Sequence, residues 1–200
     1  MAGTESLTLL LRAIANSDDK AAADMLDTTP SLATVGLARR DEFFLAERFT
    51  QVYEGDTALH AAGFSYDTEM AQDLITRGAD IRASNRRGAE PLHAAVIGSP
   101  GSTSWNPTHQ RAVILYLIEA GADPNAAAAG GVTPLHRAVR NRCSAAVEAL
   151  LGAGADPHLQ NDSGSTASDL ARWTTGRGGT GSEAARAEQR IILELLEINT

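Results

Sequence analysis

Four segments of the chain open alike: GDTALHAA at Gly55, GAEPLHAA at Gly88, GVTPLHRAV at Gly131 and GSTASDLA at Gly164, spaced by 33, 43 and 33 residues. A second phrase follows the first three of them, LITRGAD from Leu74, LIEAGAD from Leu117 and LLGAGAD from Leu150, spaced by 43 and 33 residues. One unit therefore recurs every 33 residues, and its second copy holds ten extra residues between the two phrases. This period constrains the fold more than any single motif does, because so short a unit cannot bury its own apolar face and must stack on its neighbours.

Each phrase has a physical reading. Thr at a helix N-cap accepts from an orphan backbone N–H, and Pro at the first helical position gives up no bond there. The Leu that follows enters the core, and the small Ala pair leaves room for a neighbouring helix. Gly78, Gly121 and Gly154 fall where a left-handed residue ends the second helix. That second helix carries apolar side chains at i, i+3 and i+4: Ala71, Leu74, Ile75; Ile114, Leu117, Ile118; and Val147, Leu150, Leu151. The same spacing finds two further copies, Ala22, Met25, Leu26 near the N-terminus and Ile192, Leu195, Leu196 near the C-terminus.

Thr133-Pro134-Leu135-His136 and its one-mismatch copies at Thr57 and Glu90 resemble the signature of the ankyrin-repeat family, a 33-residue turn followed by two antiparallel helices. The resemblance covers nearly all of residues 6 to 199. It implies an all-α solenoid of about five helix-turn-helix units with loop insertions, forming one domain over 1–200. Its parts are an N-terminal helical pair plus insert at 6–54, repeats at 55–87, 88–130 and 131–163, and a capping repeat at 164–200. Thr166-Ala-Ser-Asp169 loses both Leu and His, as suits a terminal unit with one face in water.

Composition narrows the partners. A formal charge of −8 repels nucleic acid and anionic lipid, and no apolar run reaches the ~20 residues of a membrane span. We therefore expect neither nucleic acid nor membrane as a partner. The lone Cys143 makes no internal disulfide, and Glu5 stands where a signal peptide would be basic, so the expected location is cytoplasmic.

Three inserts depart from the plain period. The first lies between Leu26 and Gly55 and carries Phe43, Phe44, Phe49 and Tyr53; a short helix from Arg40, then an extended piece on the flank of the array, is expected there. The second, Gly98 to His109, and the third, near 174–185, lengthen the loop between the two helices of alternate units. Stretching such a loop from about 4 to about 14 residues costs only ~1 kcal/mol of closure entropy.

The third insert contains Gly176, Gly178 and Gly181 in the spacing G-x-G-x-x-G. It follows a helical segment where a dinucleotide turn follows a strand, and Ser182-Glu183 stand where a phosphate loop needs Lys-Ser/Thr. Neither nucleotide nor other cofactor is expected. Glycine amides with Arg177 could instead hold a small anion or a partner's carboxylate, or the stretch is simply a loop closed by Thr180 and Glu183. His60, His93 and His136 recur at one position, about 10 Å apart along a helix stack, too far to share a metal. The family resemblance implies that they bond neighbouring backbone. No catalytic triad, H-E-x-x-H or C-x-x-C pattern occurs.

In ankyrin-like arrays the first helices and the hairpin tips form a concave binding surface. Four residues beyond the signature His, one column reads Phe64, Ile97, Arg140 and Trp173, with Arg137, Arg86 and Arg87 adjoining. Aromatic and arginine side chains are typical of binding hot spots. With Trp105 and Arg177 on the inserts, these residues are the candidate contacts of a non-enzymatic protein-binding module. In one alternative the inserts fold back over the column, with Trp105 against Ile97. In another they wall a pocket for a small molecule or a reaction, with His109, Glu90 and Arg177 supplying polar groups.

Overall fold

The computed structural model describes residues 2–48, 50–172 and 182–198. Within them α1 (Ala2–Ala15) pairs with α2 (Asp19–Thr28), α3 (Ala58–Ser65) with α4 (Thr68–Thr76), and α5 (Pro91–Ala95) with α6 (Pro107–Glu119). Two more pairs follow, α7 (Pro134–Asn141) with α8 (Ser144–Gly152) and α9 (Ala167–Arg172) with α10 (Glu183–Ile198). The odd-numbered helices stack on each other as an inner layer, and α4, α6, α8 and α10 do so as an outer one. The core runs between the layers. Leu59, Leu92 and Leu135 from the signatures and Leu74, Leu117 and Leu150 from the second phrases are all buried there. Each such side chain contributes roughly 1.5–3 kcal/mol by leaving water.

The signature histidines join the units. His60 Nδ1 accepts from the Thr57 backbone N–H at 3.1 Å, which leaves the proton on Nε2 to be donated to the Ala89 carbonyl of the next unit at 3.0 Å. His93 repeats this with Glu90 N–H and the Val132 carbonyl, and His136 with Thr133 N–H and the Ser165 carbonyl. In the last unit Asp169 takes over the local half of the task. Its Oδ2 accepts from the Thr166 N–H at 2.9 Å and hydroxyl at 2.7 Å, and those bonds hold its carboxyl below the ordinary range. A carboxylate has no donor for a following unit, and none of the described residues follows this one in the stack.

The hairpin tips are stitched in the same direction. Arg86 N–H donates to the Glu54 carbonyl, Ala129 N–H to Arg87, and Asp162 N–H to Gly130. In two of the units this approach requires the opening glycine. Gly55 and Gly131 both have positive φ, and a Cβ there would lie 2.8 Å from Asn85 Cα and from Asp162 Oδ1 respectively.

The first insert differs from expectation. A short 3-10 turn spans Arg39–Asp41, and the chain then forms a β-hairpin of β1 (Phe43–Leu45) and β2 (Thr50–Val52), with Phe43 opposite Val52 and Leu45 opposite Thr50. The reason is a period of two: Leu45, Thr50 and Val52 point inward while Phe44 is exposed, an alternation that a helix would scatter. Arg48 fixes the hairpin by donating from Nε to the Ala15 carbonyl at the end of α1, and the Arg12 guanidinium lies 4.5 Å from the Phe43 ring centre.

Burial, reinforced by the neighbouring Arg137 charge, holds the His93 imidazole down at about 4 against an ordinary 6.5. The unfolded chain therefore binds the proton first as pH falls. Stability is full above pH 6.5 and declines between there and about pH 4, by roughly 3 kcal/mol in total. We expect urea midpoints to follow that window, with the slope reduced in His93→Gln. Glu90 stands where Thr57 and Thr133 stand in their units, and its Oε2 is buried without a hydrogen-bond partner. Burial raises its carboxyl. Glu90→Thr is expected to stabilise the protein by about 1 kcal/mol in the same titration.

Candidate functional site

The inner helices and the inserts enclose a cleft of about 1240 Å³ that is open along one side. Its floor comes from successive units: Phe64 of α3, Ala94 of α5 with Ile97 just beyond it, Val139 of α7 and Leu170 of α9. One end is built by β2 and Tyr53 of the first insert. The other is built by Gly98–Ser102 of the second insert with Ser182, Ala185 and Gln189 at the start of α10. The second insert meets the leading end of α10, where the Ser182 hydroxyl donates to the Pro100 carbonyl. The first insert, expected on the flank of the array, thus also contributes Thr50, Gln51 and Tyr53 to one end of the concave face.

The cleft is positively charged. Arg87, Arg137, Arg140 and Arg142 line it, and Asp56 is the one carboxylate among its described lining residues. Asp56 is already engaged: Oδ1 accepts from Asn85 Nδ2 at 2.8 Å and Oδ2 from the Tyr53 N–H at 2.7 Å. Arg137 is half-buried and donates from Nη1 to the His93 carbonyl at 3.1 Å. Burial lowers the proton affinity of its guanidinium, and the charges of Arg140 and Arg87 lower it further.

That bond belongs to a wider arrangement at the end of α5, which runs for only five residues. Gln110 Nε2 donates to the Ala95 and Ile97 carbonyls, Asn141 Nδ2 to Val96, and the Tyr66 hydroxyl also to Ile97. Carbonyls that a longer helix would satisfy internally are closed by side chains from three units. This releases the chain early enough for the second insert to turn into the cleft. Tyr66 is buried, which pushes its hydroxyl proton affinity well above the ordinary range.

The predicted contact residues divide by placement. Phe64, Arg87, Ile97, Arg137 and Arg140 share the cleft, with Phe64 only 6% exposed at its floor and Arg140 on its surface. Arg86 turns to the rim, where it pairs with Glu42 and lies 4.9 Å from the Tyr53 ring centre. That ion pair and the Glu54 N–H hold the Glu42 carboxyl at about 2. Trp105 does not line the cleft. Its indole packs on the core and donates from Nε1 to Gln110 Oε1 at 2.9 Å. Trp173 and Arg177 lie outside the described residues. His109 and Glu90 do not reach the cleft, so the polar groups of the small-molecule alternative are not brought together. Among the described residues no group of His, Cys, Asp and Glu is arranged to hold a metal.

Sequence reasoning missed Gln51, Tyr53, Asn141, Arg142 and the 99–102 backbone as parts of this wall. The aromatic content of the first insert was the available signal, but nothing in its composition says which face it covers.

Cys143 sits behind the second insert, fully buried, and burial pushes its thiol up to about 12. A Cβ on Gly98 would lie 2.6 Å from its Sγ and 2.8 Å from Trp105 Cδ1. The native thiol is expected to resist Ellman's reagent. Gly98→Ala should cost about 1–3 kcal/mol through overpacking and speed the labelling, read together by urea titration and thiol kinetics.

Comparison with known proteins agrees with this architecture. The family model described as ankyrin repeats, in three copies, matches residues 59–161. Notch-regulated ankyrin repeat-containing protein A of Danio rerio is 40% identical over 65 residues, which is 32% of this chain and 49% of that protein. The Notch-regulated ankyrin repeat-containing proteins of Homo sapiens and Xenopus tropicalis show the same identity over 65 residues, 32% of this chain and 48% of each. The chain spans about half the length of the curated relatives it matches.

Proposed function

Because the chain belongs to the ankyrin-repeat family, whose repeats generally serve as protein–protein interaction modules, we propose that it binds a partner protein in the concave cleft. The observation that carries this reading is the convergence of Phe64, Ile97, Arg87, Arg137 and Arg140 from three different units on one open surface. A core needs no such convergence of arginines, and apolar floor beside guanidinium groups is the composition of a binding hot spot. The inserts add walls to what would be a shallow groove, which gives a partner segment more area to bury. We place this binding in the cytoplasm, on the strength of the single buried thiol and the acidic, disulfide-free composition.

Among the described residues no helix is long and apolar enough to cross a membrane. The cleft residues also lack a nucleophile paired with a base, so the support is for recognition rather than chemistry.

The test is site-specific photo-cross-linking in cells. A benzophenone amino acid placed at Ile97 is expected to yield an adduct with a partner protein, and one placed at Leu115 on the outer face to yield none. Arg140→Glu should reduce the Ile97 adduct about tenfold or more. Equal adducts from both faces would remove the cleft from consideration.

A further inference from the structure

We propose that the occupant of the cleft is an acidic peptide: an extended partner segment whose Asp or Glu carboxylates sit on Arg87, Arg137 and Arg140 while an adjoining apolar side chain rests on Phe64 and Ile97. This deepens the function proposed above and rests on it.

The charge arrangement carries the inference. Three arginines outside the cleft are matched by the protein's own carboxylates: Arg77 by Asp27 and Asp73, Arg86 by Glu42, and Arg111 by Glu148. Inside the cleft Arg87, Arg137 and Arg140 stand together beside one already engaged carboxylate, Asp56. Among the described residues no carboxylate lies within ion-pair distance of Arg87, Arg137 or Arg140. Arg87 lies 5.7 Å from the Tyr53 ring centre, and Arg137 donates to a neutral carbonyl with the engaged Asp56 carboxylate acting on it from a distance. Arg87, Arg137 and Arg140 line the same cleft, and the charges of Arg140 and Arg87 both oppose that of Arg137. Like charges gathered in a partly dehydrated cleft oppose folding unless an anion completes them.

The middle of the inner layer is poor in carboxylates. Inner helices α3 and α5 contain no Asp, Glu, Lys or Arg, and α7 contains Arg137 and Arg140. The outer helices hold Asp24, Asp27, Asp73, Glu119, Glu148 and Glu194. The outer helices also carry Lys20, Arg111, Arg186 and Arg190, so what sets the concave side apart is its shortage of carboxylates: in a chain of net charge −8, Asp56 is the one carboxylate among the described cleft residues.

Shape selects the class of anion. Planar guanidinium forks pair with carboxylates through two parallel N–H···O bonds, and several forks in one cleft match several carboxylates. A cleft of about 1240 Å³ with apolar floor residues between its cations is far larger than an inorganic ion. An extended chain places alternate side chains on opposite sides, so acidic residues can reach the arginines while their neighbours face the floor or solvent.

The decisive experiment selects random peptides on the full chain, then measures the winners by fluorescence anisotropy. Selected peptides are expected to be enriched in Asp and Glu beside an apolar residue. Replacing those acids by Asn and Gln should weaken binding about tenfold or more, as should Arg87→Glu and Arg140→Glu, two surface changes whose folding is verified by circular dichroism. Arg111→Glu on the outer face, the same change of charge, should have no effect. Peptides that bind in the cleft but without acidic residues would overturn this inference and leave the proposed function standing. Failure to retain any cleft-binding peptide, together with no adduct from Ile97, would overturn both. Inorganic polyphosphate bound through the same arginines, with the acidic peptides unbound, would reassign the site to a non-protein anion.

Discussion

A neutral imidazole with a partner on each ring nitrogen holds the array together. One nitrogen must accept from the N–H that opens its own helix, and the other must donate to a carbonyl of the following unit. The bond length fixes how far one inner helix sits from the next unit's turn, and so fixes the spacing of every residue projected into the concave side. At His93 protonation would remove the acceptor and add charge to a buried place, so recognition geometry and acid stability meet in that ring. The terminal unit shows the rule by its exception. Asp169 performs only the inward half, with Thr166 N–H and hydroxyl as its partners.

The regular stack produces a shallow surface, and the irregular segments turn it into a bounded one. The hairpin of the first insert stands at one end, tied to α1 through Arg48, and the second insert stands at the other against the start of α10. Neither disturbs the core, because each enters where the chain has already left a helix with its carbonyls satisfied. Specificity can therefore change in the inserts without a change in the stack, as loops on a rigid scaffold commonly allow.

The layers, the signature turns and the buried leucines were legible in the sequence because stacking forces one solution on every unit. Phe64, Ile97, Arg137 and Arg140 were legible as a column for the same reason: identical register implies a shared face. The pairing of Phe43–Leu45 with Thr50–Val52 was not, since a short helix from Arg40 and an extended piece were expected without a partner strand, and the deciding alternation lay in the burial of Leu45, Thr50 and Val52. Trp105 illustrates a second limit. A tryptophan on a loop of Gly, Ser and Pro reads as an exposed contact, yet the space left by Gly98 and the carbonyl of Gln110 draw it onto the core. Such contacts depend on a pairing distant from the period, which the period cannot encode.

The short α5 carries a consequence for how the protein forms. Five residues cannot hold a helix by themselves, since nucleation alone outweighs one turn of bonds. Its final carbonyls are closed by Tyr66 of the preceding unit, Gln110 of its own and Arg137 and Asn141 of the following one. In a linear array, stability is the sum of each unit's own term and its coupling to neighbours. Here the shortest inner helix draws side-chain bonds from both neighbouring units. Its bonds to both neighbours tie the two flanking parts of the array to each other, so the bend of the concave face is held where this short helix ends.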